Sequence, residues 1–275
     1  MNPYTTTVLP APDILKRDVE CFRIFKYIGK EKISINVSPI AQPGIVFQQK
    51  AGESALELPS TDKEISLKPT SFIYGPRTEL GTMYYREGPW SAVQVILEPH
   101  ALKSLLGINP TPLVNGALEL DAFAGNPINM QLIEAKNEVE QVDIFTNFLV
   151  DQSGQNRVRD EMIEDILQLI HSKIGTITKK FLLKQAKISE RQFENRFIQT
   201  VGVSPHLYIR IKRFNEAIKL MKTGKFERLT DVAHALNFYD QSHFIRDLKE
   251  FSGITPKSIF QRVDNFQEQG GFSYI

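Results

Sequence analysis

FENRFIQTVGVSP, residues 193–205, returns as FIRDLKEFSGITP, residues 244–256. In each copy two apolar residues stand four apart, Phe193 and Phe197 first, then Phe244 and Leu248. That spacing puts them on one face of a helix. Gly202 and Gly253 follow five residues on, where a helix takes a left-handed terminating residue. Ser204-Pro205 and Thr255-Pro256 then open another helix, with the hydroxyl as N-cap and Pro in the first helical position. A short helix, a tight turn and a second helix, written twice, is the layout of a double helix-turn-helix DNA reader.

Working outward, Thr178 suits the N-cap of a short helix running to about Ala186. Lys187, Ile188 and Ser189 make the turn, and Ser189 caps a helix reaching about Thr200. In the second copy Thr230 is expected to cap a helix through Leu236. Asn237 and Phe238 form the turn, and the next helix runs from about Asp240 to Phe251. Between the copies, Ser204 to Lys222 carries Leu207, Ile211, Phe214, Ile218 and Leu220, the pattern of one continuous amphipathic helix. Such a helix is roughly 28 Å long. Successive major-groove faces on one side of B-DNA are ~34 Å apart, so the spacing suits two readers on one duplex.

Residues from about Asp160 to Arg262 resemble the DNA-binding domain of the AraC/XylS family of bacterial transcription regulators. The first half matches at Ser189, Phe193, Phe197, Gly202, Ser204, Pro205, Tyr208, Ile211 and Ala217. The second matches over Asp231-Val232-Ala233 through Phe238, at Asp240-Gln241-Ser242-His243-Phe244, and at Arg246, Lys249, Phe251, Gly253, Thr255 and Pro256. Asn237 stands where the family usually has Gly, and Asn195 where an Arg is common. The second departure bears on the base preference of the first half-site.

Charge is divided along the chain. The first 155 residues hold 13 Lys and Arg against 18 Asp and Glu, and the remainder 20 against 14, for a net charge of +1. A basic second part collects phosphates by counterion release. An excess of this size also fits an ordinary solvated surface.

Phe193 and Phe244 face inward, so residues two to either side of them face out. Arg191 and Asn195, with Glu194 beside them, are the candidate base contacts of the first reader. Ser242 and Arg246, with Gln241 and His243 near the helix start, are those of the second. Arg forks onto guanine, Gln and Asn onto adenine, and Glu accepts from cytosine. Candidate phosphate contacts are Arg196, Lys212, Arg213, Lys249 and Lys257, with the backbone N–H groups near Ser204 and Thr255. Arg196 and Arg213 are equally suited to pairing with nearby acids.

The length, 275 residues, fits two domains. The reading is an N-terminal sensor or dimerisation domain over 1–150, a linker over 151–159, the reader over 160–262 and a tail over 263–275. Ile33–Val37, Ile45–Phe47, Ser71–Tyr74 and Ser91–Leu97 are short apolar or alternating runs punctuated by turn residues. They predict a small β-barrel or sandwich, making the whole an α+β two-domain chain with an all-α second part. The arrangement also resembles the cupin-like sensor domains joined to AraC-type readers. Pro99 to Gly107 starts a helix. Pro127 to Leu149 reads as a longer one, with Ile128, Leu132, Ala135, Val139 and Val142 along a seam that fits either a dimer contact or packing on the front domain.

No histidine precedes His100, which is expected on the surface at a helix start, so the front part lacks the imidazole cluster of a metal cupin. Cys21 is the lone cysteine and reads as a buried thiol. Neither a nucleophile elbow nor a phosphate-binding Gly-rich loop is present. No metal, cofactor or catalytic residue is expected. Phe47, Phe72, Tyr74 and Trp90, with Arg77 and Arg86, are candidates to line a pocket for an anionic ligand, although each ring equally suits a core. No signal or membrane run is apparent, which with one cysteine points to the cytoplasm. The sequence therefore implies a DNA-binding regulator with a small-molecule effector, expected to be a homodimer meeting RNA polymerase at promoters. Alternatives are a regulator governed by abundance or a protein partner, and an enzyme carrying a DNA-targeting module.

Overall fold

Strands β1 (Tyr4–Pro10), β2 (Val19–Tyr27), β3 (Ile33–Val37), β4 (Gly44–Gln49), β5 (Ser71–Tyr74), β6 (Gly81–Tyr85) and β7 (Trp90–Leu97) fill the front of the chain in a computed structural model. The structure describes residues 3–57, 70–125, 128–155, 157–226, 228–236, 241–255, 258–259, 267–268 and 272–274. After β7 come α1 (Ala101–Ser104), β8 (Ala117–Glu119), α2 (Leu120–Ala124), α3 (Ile128–Glu134) and α4 (Glu138–Ser153). The helical part follows with α5 (Glu161–Ser172), α6 (Lys179–Ala186), α7 (Glu190–Val201), α8 (Pro205–Lys222), α9 (Leu229–Ala235) and α10 (Gln241–Ser252). Short strands β9 (Gln267–Glu268) and β10 (Phe272–Tyr274) close it.

Among the described residues the strands make two antiparallel sheets, in the orders β1-β2-β7-β4-β5-β8 and β6-β3-β10-β9. This is an open sandwich rather than a closed barrel. The tail, for which the sequence suggested no role, pairs β10 with β3 through Ser273 with Val37 and Tyr274 with Asn36.

Period-two alternation divides the larger sheet between two cores. Phe22, Ile24, Ile45, Phe47, Ile73, Val93 and Val95 face α1, α3 and α4, where Phe145 and Leu149 are buried. Phe25, Tyr27 and Trp90 face the smaller sheet with Ile35 and Tyr85. A register shift between Val19 and Cys21 breaks the alternation in β2.

The expected long helix over 127–149 is two helices. Asn137 separates them, its side chain accepting from the backbone N–H groups of Val139 and Glu140 as the N-cap of α4. Ile128, Leu132 and Val142 bury in the front domain's own core, while Val139 is exposed. The stripe is therefore a packing face and not a seam left open to a second chain. The expected helix from Pro99 is the single turn of α1.

In the helical part, capping chemistry follows the sequence closely. Thr178 caps α6, Lys187 takes φ +54 in the turn, and Ser189 with Gln192 forms a capping box on α7. Gly202, at φ +91, ends α7, and Ser204 with Pro205 starts α8. Thr230 is a correction: α9 begins at Leu229 with Arg228 at the N-cap, so Thr230 lies inside the first turn. The Asn237-Phe238 turn lies outside the described residues.

Candidate nucleic-acid interface and cavity

The two candidate reading helices are carried on α8. Phe193 and Phe197 of α7, and Phe244 and Leu248 of α10, are buried in one core with Tyr208, Ile211, Phe214 and Ile218 of α8. Arg210 of α8 holds α10 directly, its Nη2 donating to Asp247 Oδ1 at 2.6 Å and to Glu250 at 2.8 Å. Its guanidinium also lies 5.0 Å from the Phe251 ring centroid. Asp247 is buried, so this pair is shielded from water and fixes α10 on α8.

Turning the buried phenylalanines inward leaves Arg191 and Asn195 exposed on α7, and Ser242, His243 and Arg246 exposed on α10. Glu194 is partly buried and receives Lys179 Nζ at 2.6 Å, which also reaches Glu190 at 2.6 Å. Glu194 must leave this clamp to accept from a base. The Gln241 side chain lies outside the described residues, as does Lys257.

The phosphate candidates divide. Lys249 and Thr255 are exposed, and Ser204 caps α8. Arg196 forks onto Asp160 at 2.7 and 2.9 Å. Arg213 is turned inward, donating to the carbonyls of Ile174 and Ile177 at 3.1 and 2.8 Å. Lys212 lines a pocket between the domains with Glu20, Gln42, Glu98 and His171. Burial there lowers its pKa against the opposing pull of Glu20. Arg213 and Lys212 thus correct the expectation: helix rotation aims both at protein.

His100 is also a correction, being buried and not on the surface. Its Nε2 lies 3.1 Å from Arg159 Nη2 and 3.5 Å from Asp18 Oδ1. Around it, Arg159 donates to Asp18 and Glu164, Ser104 to Asp18 and Arg17 to Glu164. This cluster joins the front domain to α5. No sequence motif announced it, because its members come from three separate segments, 17–18, 100–104 and 159–164.

A cavity of ≈ 130 Å³ lies between the two sheets. Of the candidates, Phe72, Tyr74, Arg77 and Trp90 line it, together with Arg23, Phe25, Met83, Tyr85 and Gln94. Phe47 does not: alternation points it to the opposite face of β4, into the helix-side core. Arg86 is held outside by Glu53 at 2.9 Å. Burial raises the pKa of Tyr74 and of Tyr85, keeping both phenols neutral, and lowers that of Arg77. Arg23 was missed because the register shift in β2 hid the strand's period. Cys21 is buried, as read.

One wall of the cavity continues to the reading helix. Gly75, Arg77, Asn115 and Gly116 line the cavity, and Gly75 N–H donates to Gly116 while Asn115 N–H donates to Pro76. A Cβ placed on Gly202, at the end of α7, would lie 3.1–3.2 Å from Pro110 and Pro76 of these same segments. The start of α7 is exposed, and its far end rests on the front domain.

The helix-turn-helix domain family matches residues 182–262. This chain carries an AraC-type helix-turn-helix domain. A domain of unknown function, DUF6597, matches residues 6–119, the sandwich ahead of the AraC-type part. No curated protein matches the chain in sequence. Among solved structures, it is similar to apo ToxT from Vibrio cholerae at 14% identity and TM-score 0.45, over 96% of this chain and 98% of that one. Unsaturated fatty acid-bound ToxT from the same organism gives 16% and 0.46, over 90% and 98%. The AraC-like transcriptional activator CuxR gives 15% and 0.22, over 72% and 74%. The AraC-type domain supports a DNA-binding transcription regulator, the class the duplicated motif implied. No described helix is long and apolar enough to cross a membrane.

Proposed function

We propose that α7 and α10 enter successive major grooves of one duplex, while the sandwich binds a small-molecule effector that alters DNA binding. What supports the first half is α8. Its 18 residues span about 27 Å at 1.5 Å rise per residue, and it holds both helices, α7 through Tyr208 against Phe197 and α10 through Arg210 on Asp247 and Phe214 against Phe251. That length approaches the ~34 Å between grooves on one side of B-DNA. Arg191, Glu194 and Asn195 read one half-site, and Gln241, Ser242, His243 and Arg246 the other. Lys249, Thr255, Ser204 and Lys257 position the phosphates, joined by Arg196 when it leaves Asp160.

What supports the second half is the shared wall. Segments 75–77 and 110–116 touch both the cavity and the end of α7, so a ligand favouring one arrangement of that wall shifts the reader. In this reading 1–150 senses, 151–159 joins, 160–262 reads and 263–275 is a tail whose β10 pairs with β3 of the sensor. The protein acts in the cytoplasm as a homodimer beside RNA polymerase, and sedimentation velocity tests the dimer.

Selection of bound duplexes from a random DNA pool, with the full chain at near-physiological salt, tests the function. Two unlike elements about one helical turn apart are expected. A single enriched element would sink the two-groove placement, and none at all would sink the sequence-specific reading.

A further inference from the structure

The hydrogen-bonding capacity left unmet in the sandwich cavity is donor capacity. Arg23 Nε and Nη1 are buried without a partner, and so is Trp90 Nε1. Among the described residues no Asp or Glu lines the cavity, and the guanidinium groups of Arg23 and Arg77 do. Tyr74 already accepts from Gln94 Nε2 at 3.2 Å, so its hydroxyl hydrogen remains to be given. A buried cation without a counter-charge is costly, and an anion that supplies one recovers that cost on binding.

The remaining surface is apolar and largely flat. Trp90 stacks on Tyr85 with centroids 4.1 Å apart and planes 4° from parallel, and Phe25 lies 5.0 Å from Trp90. Cross-strand register places the polar and apolar ends apart. Arg23 is opposite Gln94, and Gln94 opposite Val46, whereas Phe25 and Tyr27 are opposite Ala92 and Trp90. Arg23 and Tyr27 are four residues apart on one strand, or ~13 Å at 3.3 Å per residue. The volume, ≈ 130 Å³, compares with the roughly 150 Å³ of a dry cavity that accepts benzene.

Resting on the effector reading above, we propose that this cavity binds a small monocarboxylate whose apolar body is about one six-membered ring in size. The carboxylate sits on the Arg23 guanidinium, with Tyr74 and Arg77 beside it, in the geometry a planar fork offers a carboxylate. The body lies toward Phe25, Tyr85 and Trp90.

Trp90 is the chain's only tryptophan, so its emission reports on this cavity alone. The test titrates the full chain with phenylacetate and with its neutral isostere phenylacetamide, following Trp90 emission and heat of binding. Phenylacetate should give saturable changes in both, and the amide should bind at least tenfold more weakly. Arg23→Met should weaken phenylacetate on the order of 10- to 100-fold, the range of one charge-assisted hydrogen bond, and leave the amide unchanged. The same variant should melt higher than the parent without ligand, because an unpaired buried charge is gone. Equal binding of acid and amide, binding of neither, or a lower melting point for Arg23→Met would each overturn the proposal. Preference for a long-chain acid such as octadecenoate would overturn its size class. The acid–amide contrast uses the parent protein and does not depend on how the variant folds. Failed DNA selection with carboxylate binding intact would sink the sequence-specific reading alone. Successful selection with no carboxylate binding would sink this site alone.

Discussion

Asp18 of the front domain and Arg159 at the entrance to α5 form a two-point ion pair, Nη2 to Oδ1 at 2.9 Å and Nη1 to Oδ2 at 3.0 Å. Asp18 is 5% exposed. Burial alone would raise its pKa, but hydrogen bonds from His100, Arg159 and Ser104 hold the carboxyl well below the usual range. A buried pair contributes most visibly when one partner is removed. Asp18→Asn should therefore cost ~3 kcal/mol in chemical denaturation and loosen the front domain from α5.

The pH dependence follows from the same carboxyl. Its folded pKa lies below the unfolded value, so the unfolded chain takes up the proton first as pH falls. The stabilisation is fully present above about pH 4 and is lost progressively below it. Melting followed from pH 7 to pH 2 should show an acid decline that Asp18→Asn flattens. An unchanged decline in the variant would assign acid sensitivity to other carboxylates.

Arg246, exposed on α10, should read one base. Arg246→Ala should cost ~1–3 kcal/mol of binding to the selected duplex and relax preference at one base pair. Equal weakening on every sequence, with a shallower salt dependence, would assign Arg246 to phosphate. The same comparison on Arg191 tests the first half-site.

Asp247 separates reading from positioning. It faces Arg210 from inside the core, so Asp247→Ala leaves a half-buried guanidinium with only Glu250. Expected is a stability loss of ~3 kcal/mol, with binding at the second half-site weakened and the first retained. A binding loss spread evenly over both elements would show that the pair supports the whole domain instead.

The helical part was legible because its signals are local. Ser189, Gly202 and Ser204-Pro205 act within a turn of where they stand, and each occupies the cap its chemistry requires. The front domain was legible where short apolar or alternating runs stand between turn residues, as in Ile33–Val37, Ile45–Phe47, Ser71–Tyr74 and Ser91–Leu97. In β2 the register shift moves the inward residues from one parity to the other, hiding both the strand and Arg23. Lys212 and Arg213 were misread for a different reason. Charge on a basic domain suggests phosphate, but the rotation of α8 and the arrival of the front domain decide which face each side chain takes. His100 meets Asp18 and Glu164 only through tertiary contact, which spacing cannot express.

Gly202 tests the route from cavity to reader. Its φ of +91 is costly for any residue with a Cβ, and that Cβ would crowd Pro110 Cβ at 3.1 Å and Pro76 Cγ at 3.2 Å. Gly202→Ala should lose ~1 kcal/mol from backbone strain, and more if the proline contact cannot yield. The two contributions separate in a double-mutant cycle with Pro76→Ala, which removes the crowding Cγ. If the contact is tight, Pro76→Ala should recover part of the Gly202→Ala loss, and hydrogen exchange in 110–116 should rise in the single glycine variant. If the penalties simply add, the loss is backbone strain alone. The end of α7 would then be insulated from the cavity wall, and effector control through segments 75–77 and 110–116 would fail.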